Sequence, residues 1–306
     1  MDYGTRNEYA PLRRVLMHRP NPDDLHWVKQ STLGYYNFTA CVDAQRYLLE
    51  YDQLLQKLAG QGTDIVLLTE VLGGYEEALA YISRRPNLVF TRDMATVYCE
   101  GAVLMNPRLK GRQWDGWVIR KCLEALDIPI LGTINYPGYL EGGGNLLLGN
   151  GIGAVGLCDR TNEHAIEQLA AITLGRCLDE LIVVNLPSGT IHLDSLLLVA
   201  DQDLICLNRA QLEAAPTRIL RTGQRVRYVW LPEYLEQRGF TCLDGNDEIA
   251  MSHLAVRPRC LVGYAHSQEN VPDLTRYGAT FMGVSGQELV KGDGGVHCMT
   301  CPLLRD

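Results

Sequence analysis

Four stretches of the chain end or interrupt an apolar run with a residue that can attack an electrophile or move a proton. They are PNLVFTRD (86–93), YLEGGGN (139–145), IHLDSLL (191–197) and GDGGVHCMTCPL (292–303). Such groups tend to stand where a rigid element gives way to a loop. In the last stretch Cys298 follows a glycine run, which brings backbone close to a ligand and leaves a thiol accessible. The same segment could instead hold a plain structural cysteine, a C-x-x-C redox pair with Cys301, or half of a zinc site. Zinc needs about four ligands and no second C-x-x-C occurs, and Pro302 sits where a redox pair would open a helix. A nucleophile and a structural thiol remain equally good readings of this segment.

In IHLDS, His192 and Asp194 are two apart, so in a strand they share a face and could act as general acid/base and cation ligand. A half-exposed His-Asp pair is the commoner meaning of that spacing. Asp93 and Glu141 alone would be turn acids or helix caps. Together the four stretches supply a thiol, an imidazole and three carboxylates. A guanidinium is a flat permanent cation with five N–H donors. Carboxylates would grip it, a thiolate could add to its carbon, and histidine could protonate the departing amine. A serine triad fits less well, because no G-x-S-x-G occurs.

The elements around these residues alternate between β-type runs and amphipathic helices. VLMHRP (15–20), DIVLL, IPIL, LIVVNL, SLLLVAD, DLICL, YVWL, LAVRP, CLVGY and ATFMGV read as strands. TVYCEGAVLM and NLLLGNGIGAVGL read as hairpins. Residues 43–60, WDGWVIRKCLEAL and EHAIEQLAAIT read as helices, the last capped by Thr161 or Asn162, with YLEQRGF and VPDLTRYG as short ones. About five strand-turn-strand-helix modules follow one another without a linker, which predicts one α/β domain over residues 1–306. No G-x-G-x-x-G follows the first strand, so a dinucleotide fold is not expected.

The chain has 306 residues, a net charge of -8 and 46% hydrophobic residues. That balance fits a globular protein and argues against nucleic acid as a partner. No apolar run approaches the roughly 20 residues of a membrane span, and no signal-peptide pattern opens the chain. The ten irregularly spaced cysteines fit small buried thiols in the cytoplasm better than a disulfide framework.

The ordered set NEYAPLRRVLMHRP, PNLVFTRD, LEGG, GLCDRTNEHA, IHLD and GGVHCMTCPL resembles the arginine deiminase family of guanidine-modifying enzymes. The resemblance implies the pentein fold, a five-bladed α/β propeller with its site on the central axis. It also implies a reaction without metal or cofactor, on a small guanidino substrate, in a protein that could form a homo-oligomer. By motif, Cys298 is the nucleophile, His192 the general acid/base, and Glu141 the group orienting the substrate and His192. Asp93 and Asp194 would grip the guanidinium, and Asn87, Arg160 and Arg112 would bind the amino-acid end.

Three features depart from that pattern. Gly144 stands where the family commonly has an aspartate. Asp293, five residues before Cys298, stands where the deiminases tend to carry a carboxylate-binding arginine. The anion there disfavours a free α-carboxylate or requires a differently arranged loop. The chain is also too short for the family's extra helical insertion. A hydrolase is the first expectation, an amidinotransferase the alternative, and a non-catalytic guanidine binder a third.

Overall fold

A computed structural model describes residues 2–245, 252–270 and 274–306. Its strands are β1 (Leu12–Met17), β2 (Asp64–Leu67), β3 (Ala95–Tyr98), β4 (Gly101–Leu104), β5 (Ile130–Thr133) and β6 (Asn145–Gly149). The chain continues through β7 (Ile152–Leu157), β8 (Glu180–Asn185), β9 (Leu197–Asp201), β10 (Leu204–Leu207), β11 (Thr217–Leu220) and β12 (Arg227–Val229). It ends with β13 (Thr241–Asp244), β14 (Leu254–Arg257), β15 (Cys260–Tyr264), β16 (Thr280–Val284) and β17 (Cys301–Arg305).

These strands make five small sheets built on one plan. An antiparallel pair is extended by a strand parallel to its second member. The sets are β3-β4-β5, β6-β7-β8, β9-β10-β13 and β14-β15-β16. In the fifth set β17 pairs antiparallel with β1, and β1 pairs parallel with β2, so the two ends of the chain share a sheet. Strands β11 and β12 extend the β6-β7-β8 sheet from β8. The parallel joins need crossovers, and the helices Ala44–Ala59, Asp115–Ala125, Glu163–Thr173 and Leu231–Gln237 lie in them.

Strands such as β8 and β9 are buried on both faces, which explains apolar runs such as LLLVA and LIVV where one wet face would give alternation. Leu197 and Val199 of β9 pack toward β6-β7-β8, with Ile182 and Val184. Leu198 and Ala200, pointing the other way, pack toward Ala255 and Leu261 of β14 and β15. The remaining apolar clusters join the other sheets in the same pairwise manner. One links β14-β15-β16 to β1 through Tyr47, Tyr51 and Leu54 of the helix Ala44–Ala59. Another links Leu16 and Leu303 to Val97 and Leu104, with Val118 and Ile119 between them. A third links Val103 to Leu147 and Val183 across Ile166 and Leu169.

Four of the leading strands are entered through a short tight turn, and β14 follows two residues outside any turn. These segments are the 3-10 turns Thr91–Met94 before β3, Gly142–Gly144 before β6 and Leu193–Ser195 before β9, with Ser252 and His253 before β14 and 296–299 before β17. The four chemically suggestive stretches occupy four of these five positions.

Several expectations change. PNLVFTRD is two consecutive 3-10 turns, not the end of a strand. IHLDS is not a strand either: His192 is extended and Asp194 lies in the following turn. Asn162 caps its helix, accepting from the Ala165 amide. Trp230 of YVWL leaves β12 to open a helix. VPDLTRYG becomes the 3-10 turn Leu274–Tyr277, and its residues 271–273 lie outside the described residues. No helix among the described residues is long and apolar enough to cross a membrane.

Candidate active site

The leading segments bring the suspected residues together. Cys298, His192, Glu141, Asp93, Asp194, Asn87 and Arg112 are all buried, and Arg160 is half-buried. Gly143 shows how closely they converge. A Cβ built on it would lie 2.7 Å from His192 Nδ1, 3.1 Å from Asp194 Oδ2 and 3.2 Å from Asp93 Oδ1. Three polar atoms from two different sheets' leading turns therefore face the bare Cα of a third. Gly142 is equally constrained, since its Cβ would lie 2.1 Å from the Arg92 carbonyl oxygen. The two glycines of the LEGG stretch are needed for this close approach.

His192 Nε2 donates to Glu141 Oε2 at 2.8 Å, while its Nδ1 faces Asp93 Oδ1 at 3.8 Å. Arg160 Nη1 lies 3.2–3.3 Å from both Glu141 oxygens. Burial pulls the His192 imidazolium down, but Asp93, then Glu141 and Asp194, lift its pKa to about 9. Burial favours protonation of Glu141, yet the hydrogen bond and charge of His192, with Arg112 and Arg160, hold it at about 2. The pair is an ion pair at neutral pH.

Cys298 Sγ donates to Asp194 Oδ2 at 3.5 Å. Burial first, and then the charges of Asp194 and Asp93, push this thiol well above the ordinary cysteine range. In the free protein the sulfur is a thiol. Its environment favours the thiol over the thiolate for as long as no cation offsets the two carboxylates.

Two neighbouring cavities meet at Cys298, His192, Ile191, Asp293 and Gly294. The smaller, ≈320 Å³, holds Asp93, Glu141, Asn87, Arg112 and Arg160. The larger, ≈490 Å³, lies on the side of Asp194, Ser195 and Ser252. Asn87 Nδ2 donates to the Tyr36 carbonyl at 2.7 Å, and its buried Oδ1 has no hydrogen-bond partner.

Arg112 differs from its expected place at the amino-acid end. Its Nη1 donates to Asp93 Oδ2 at 2.5 Å, its Nη2 to the Asn87 and Phe90 carbonyls, and its Nε to Asp115. The fork is committed to protein partners, so it fixes the Asp93 carboxylate. Gly144 has only ordinary contacts around a hypothetical Cβ, at 3.4 Å or more.

Three residues of the site are not apparent from sequence. His297 Nδ1 is 2.7 Å from Asp194 Oδ2, and its Nε2 is 3.3 Å from Glu8 Oε2. Arg92 holds both Glu8 oxygens at 3.2 Å and also donates to the His297 and Thr300 carbonyls. Burial raises the Glu8 carboxyl, but Arg92 and His297 outweigh it and hold it well below the usual carboxylate range. Glu8 lies in a polar opening with no periodicity. Arg92 sits inside LVFTRDMA, where a charge flanked by apolar residues is the available signal.

Asp93, Glu141 and His192 also offer ligand atoms within 4.8 Å of one another, the geometry of a metal site. The chemistry of the set opposes a dication, because Arg112 and Arg160 already neutralise both carboxylates and His192 is protonated near neutral pH.

The chain matches the family profile for arginine deiminase over residues 74–236 and 245–305. It belongs to the arginine deiminase family. Arginine deiminase 1 of Staphylococcus epidermidis is 24% identical over 261 residues, and the arginine deiminase of Staphylococcus aureus strain JH9 is likewise 24% identical. The match covers 74% of this chain and 64% of those relatives, so the chain spans less than two thirds of their length. Among solved structures, dimethylarginine dimethylaminohydrolase from Pseudomonas aeruginosa, complexed with citrulline, superposes with a TM-score of 0.70 at 18% identity. That match covers 95% of this chain and 99% of the other. An amidinotransferase of saxitoxin biosynthesis from Microseira wollei gives a TM-score of 0.72 at 12% identity, covering 100% and 98%. Both likenesses are likenesses of the mixed α/β fold.

Proposed function

We propose that this member of the family is a hydrolase acting on the guanidinium carbon of arginine or a related guanidino compound. The observation that carries the reading is the convergence of His192 Nδ1, Asp194 Oδ2 and Asp93 Oδ1 on one point beside the Cys298 thiol. That set suits a flat cation: two carboxylates to accept its N–H groups, a sulfur to attack its carbon, and an imidazolium to protonate what leaves.

Binding of the cation offsets Asp93 and Asp194, which lowers the thiol pKa, and the proton passes to solvent; the proton lost when the ureido product forms replaces it overall. The sulfur then adds to the guanidinium carbon and the C–N electron pair moves onto nitrogen. His192 supplies the proton that lets ammonia or an amine depart. The product is an amidino group carried on the cysteine. His192, now neutral, takes a proton from water as its oxygen attacks the same carbon. Collapse expels the sulfur and leaves a ureido product, citrulline in the case of arginine. Glu141 keeps the imidazole oriented throughout, and Arg112 keeps Asp93 in place. Asn87 and Arg160 serve the amino-acid end of the substrate.

In this reading residues 1–306 form one catalytic unit, a five-bladed propeller in which each three-stranded set is a blade. The pairwise packing of each sheet on the next, together with the placement of the functional residues before four leading strands, supports that arrangement. All ten cysteines are free, in keeping with a thiol enzyme of the cytoplasm.

The larger cavity beside Cys298 gives a second reading some footing. It offers room for an amine acceptor, as an amidinotransferase would need, or for the substituent of a modified guanidine. A panel of arginine, methylated arginines, agmatine and guanidinoacetate, scored for ammonia, ureido product and ornithine, separates these. Cys298→Ala is expected to lower turnover by on the order of 10⁴-fold or more. Near-normal product formation by that variant would end the hydrolase and transferase readings alike.

A further inference from the structure

Asp293 is placed unusually for a residue at the mouth of an acidic cavity. The residue is exposed and lines both cavities, together with Cys298 and Gly294. No Lys, Arg or His lies within ion-pairing distance of it among the described residues. Its one hydrogen bond comes from Asn37, whose Nδ2 donates to Oδ2 at 2.7 Å. Asn37 and Asp293 both adopt left-handed backbone, with φ of 57° and 61°. Asn and Asp are the side-chain-bearing residues that best tolerate that region.

The two loops are tied together at further points. The Thr39 amide donates to the Lys291 carbonyl at 2.8 Å, and Tyr264 Oη donates to the Gly294 carbonyl at 2.9 Å. Asp293 is therefore held before any ligand arrives, with one oxygen engaged by Asn37 and the other open. Within the smaller cavity, the buried Asn87 Oδ1 is a second acceptor without a donor. The buried, unpaired Asn87 Oδ1 calls for a donor, and the exposed Asp293 carboxylate on the same cavity makes a positively charged N–H donor the best match. The guanidinium does not fill this role, because Asp93 and Asp194 receive it on the inner side.

We propose that Asp293, positioned by Asn37, is the receptor for a primary ammonium at the end of the substrate remote from the guanidinium. The preferred substrates are then guanidino compounds carrying a free amine, and guanidino acids without one are discriminated against. This rests on the guanidine-hydrolase reading of the same site. It also gives the aspartate a positive use in place of a cation that would have met a carboxylate. Arg160 lines the same cavity and, with only its Nη1 engaged by Glu141, has further N–H groups to offer a carboxylate when the substrate has one, so arginine can use both walls.

Three ligands separate the contributions. Arginine has both end groups, agmatine only the ammonium, and 5-guanidinopentanoate only the carboxylate. Their affinities are measured by titration calorimetry at low salt on Cys298→Ala protein, which holds them unreacted, with and without Asp293→Asn. The asparagine keeps the size and the backbone preference while removing the charge. Arginine and agmatine are expected to bind about 10-fold or more weakly in the double variant, and 5-guanidinopentanoate to change by less than about twofold. Asn37→Ala in the Cys298→Ala background should produce a smaller loss with the same ligand pattern.

Equal losses for all three ligands, losses below about threefold for the two amines, or failure of all three to bind would each overturn the proposal. Turnover by the wild-type chain is scored separately. If arginine binds in an Asp293-dependent way and is never converted, the ammonium receptor stands and the hydrolase reading falls.

Discussion

At the scale of single residues, the free site holds a neutral thiol beside a protonated imidazole. Iodoacetamide should therefore modify Cys298 slowly at pH 7.5, and Asp194→Asn should speed that modification by removing a charge that opposes the thiolate. Rapid alkylation of wild-type Cys298, mapped by peptide mass spectrometry, would mean that the carboxylates do not govern the sulfur. The His192 pKa, raised from 6.5 to about 9, gives a second test. In the proposed mechanism the protonated form expels the leaving group, so kcat/KM is expected to fall as pH rises through about 9. Glu141→Gln should move that limb to lower pH. The same shift makes His192 stabilising at low and neutral pH, a contribution lost as pH rises through about 9.

The structure brings Cys298, His192, Asp93, Asp194 and Glu141 to one place, as the four stretches read together lead one to expect, although each stretch alone also allows a plain structural reading. Arg112 was readable as a site residue but not in its role, since spacing cannot show that Asp93, Asp115 and two carbonyls occupy its fork. Glu8 and His297 were hidden for a similar reason: their partners are 289 residues apart along the chain.

At the scale of elements, the loop carrying Asp293 and leading to Cys298 is held from outside by the helix Ala44–Ala59. Glu50 Oε2 accepts from the Glu288 and Leu289 amides at 2.8 and 3.1 Å. Glu50→Ala would strand two buried donors and is expected to cost about 2–4 kcal/mol. The melting temperature should drop, with kcat/KM reduced about tenfold, and Glu50→Gln, which keeps an acceptor, should recover most of both. A lower melting temperature with unchanged kinetics would show that the loop keeps its shape without Glu50. None of this was legible in advance, because the helix signals its apolar stripe and not the one carboxylate directed at a distant loop. Strands β11 and β13 were missed as well. TRIL and TCLD are short and half polar, and their pairing with β8 and β10 creates them.

At the scale of the whole molecule, the repeated strand-turn-strand-helix order did announce an α/β architecture. Continuous apolar runs marked sheets covered on both faces. The sequence could not show which sheet packs on which, since that depends on contacts such as Leu303 with Val97 that only the folded chain makes. The long-range electrostatics are simpler. The chain carries -8 overall, and the two cavities are lined by four carboxylates against Arg112, Arg160 and His192. A cationic substrate is drawn toward such a mouth over a distance set by ionic strength. Between about 10 and about 150 mM salt, kcat/KM should fall about threefold or more for agmatine, a dication, and much less for zwitterionic 5-guanidinopentanoate. Equal salt dependence for the two would remove electrostatic attraction from the account.

Of the five positions that lead into a first strand, four turn a carboxylate, an imidazole or the thiol toward the two cavities at Cys298; the fifth turns Ser252 toward them, while its neighbour His253 lines a separate small cavity. The Ser252 hydroxyl only touches the Asp194 carbonyl, at 3.3 Å, yet the residue lines the wall of the larger cavity. The wall of that cavity thus has a neutral position on the same chamber as the sulfur. Ser252 is buried against Gly295, so only a short acid such as aspartate suits the space, and that substitution is the natural starting point for teaching this scaffold a different leaving group or acceptor.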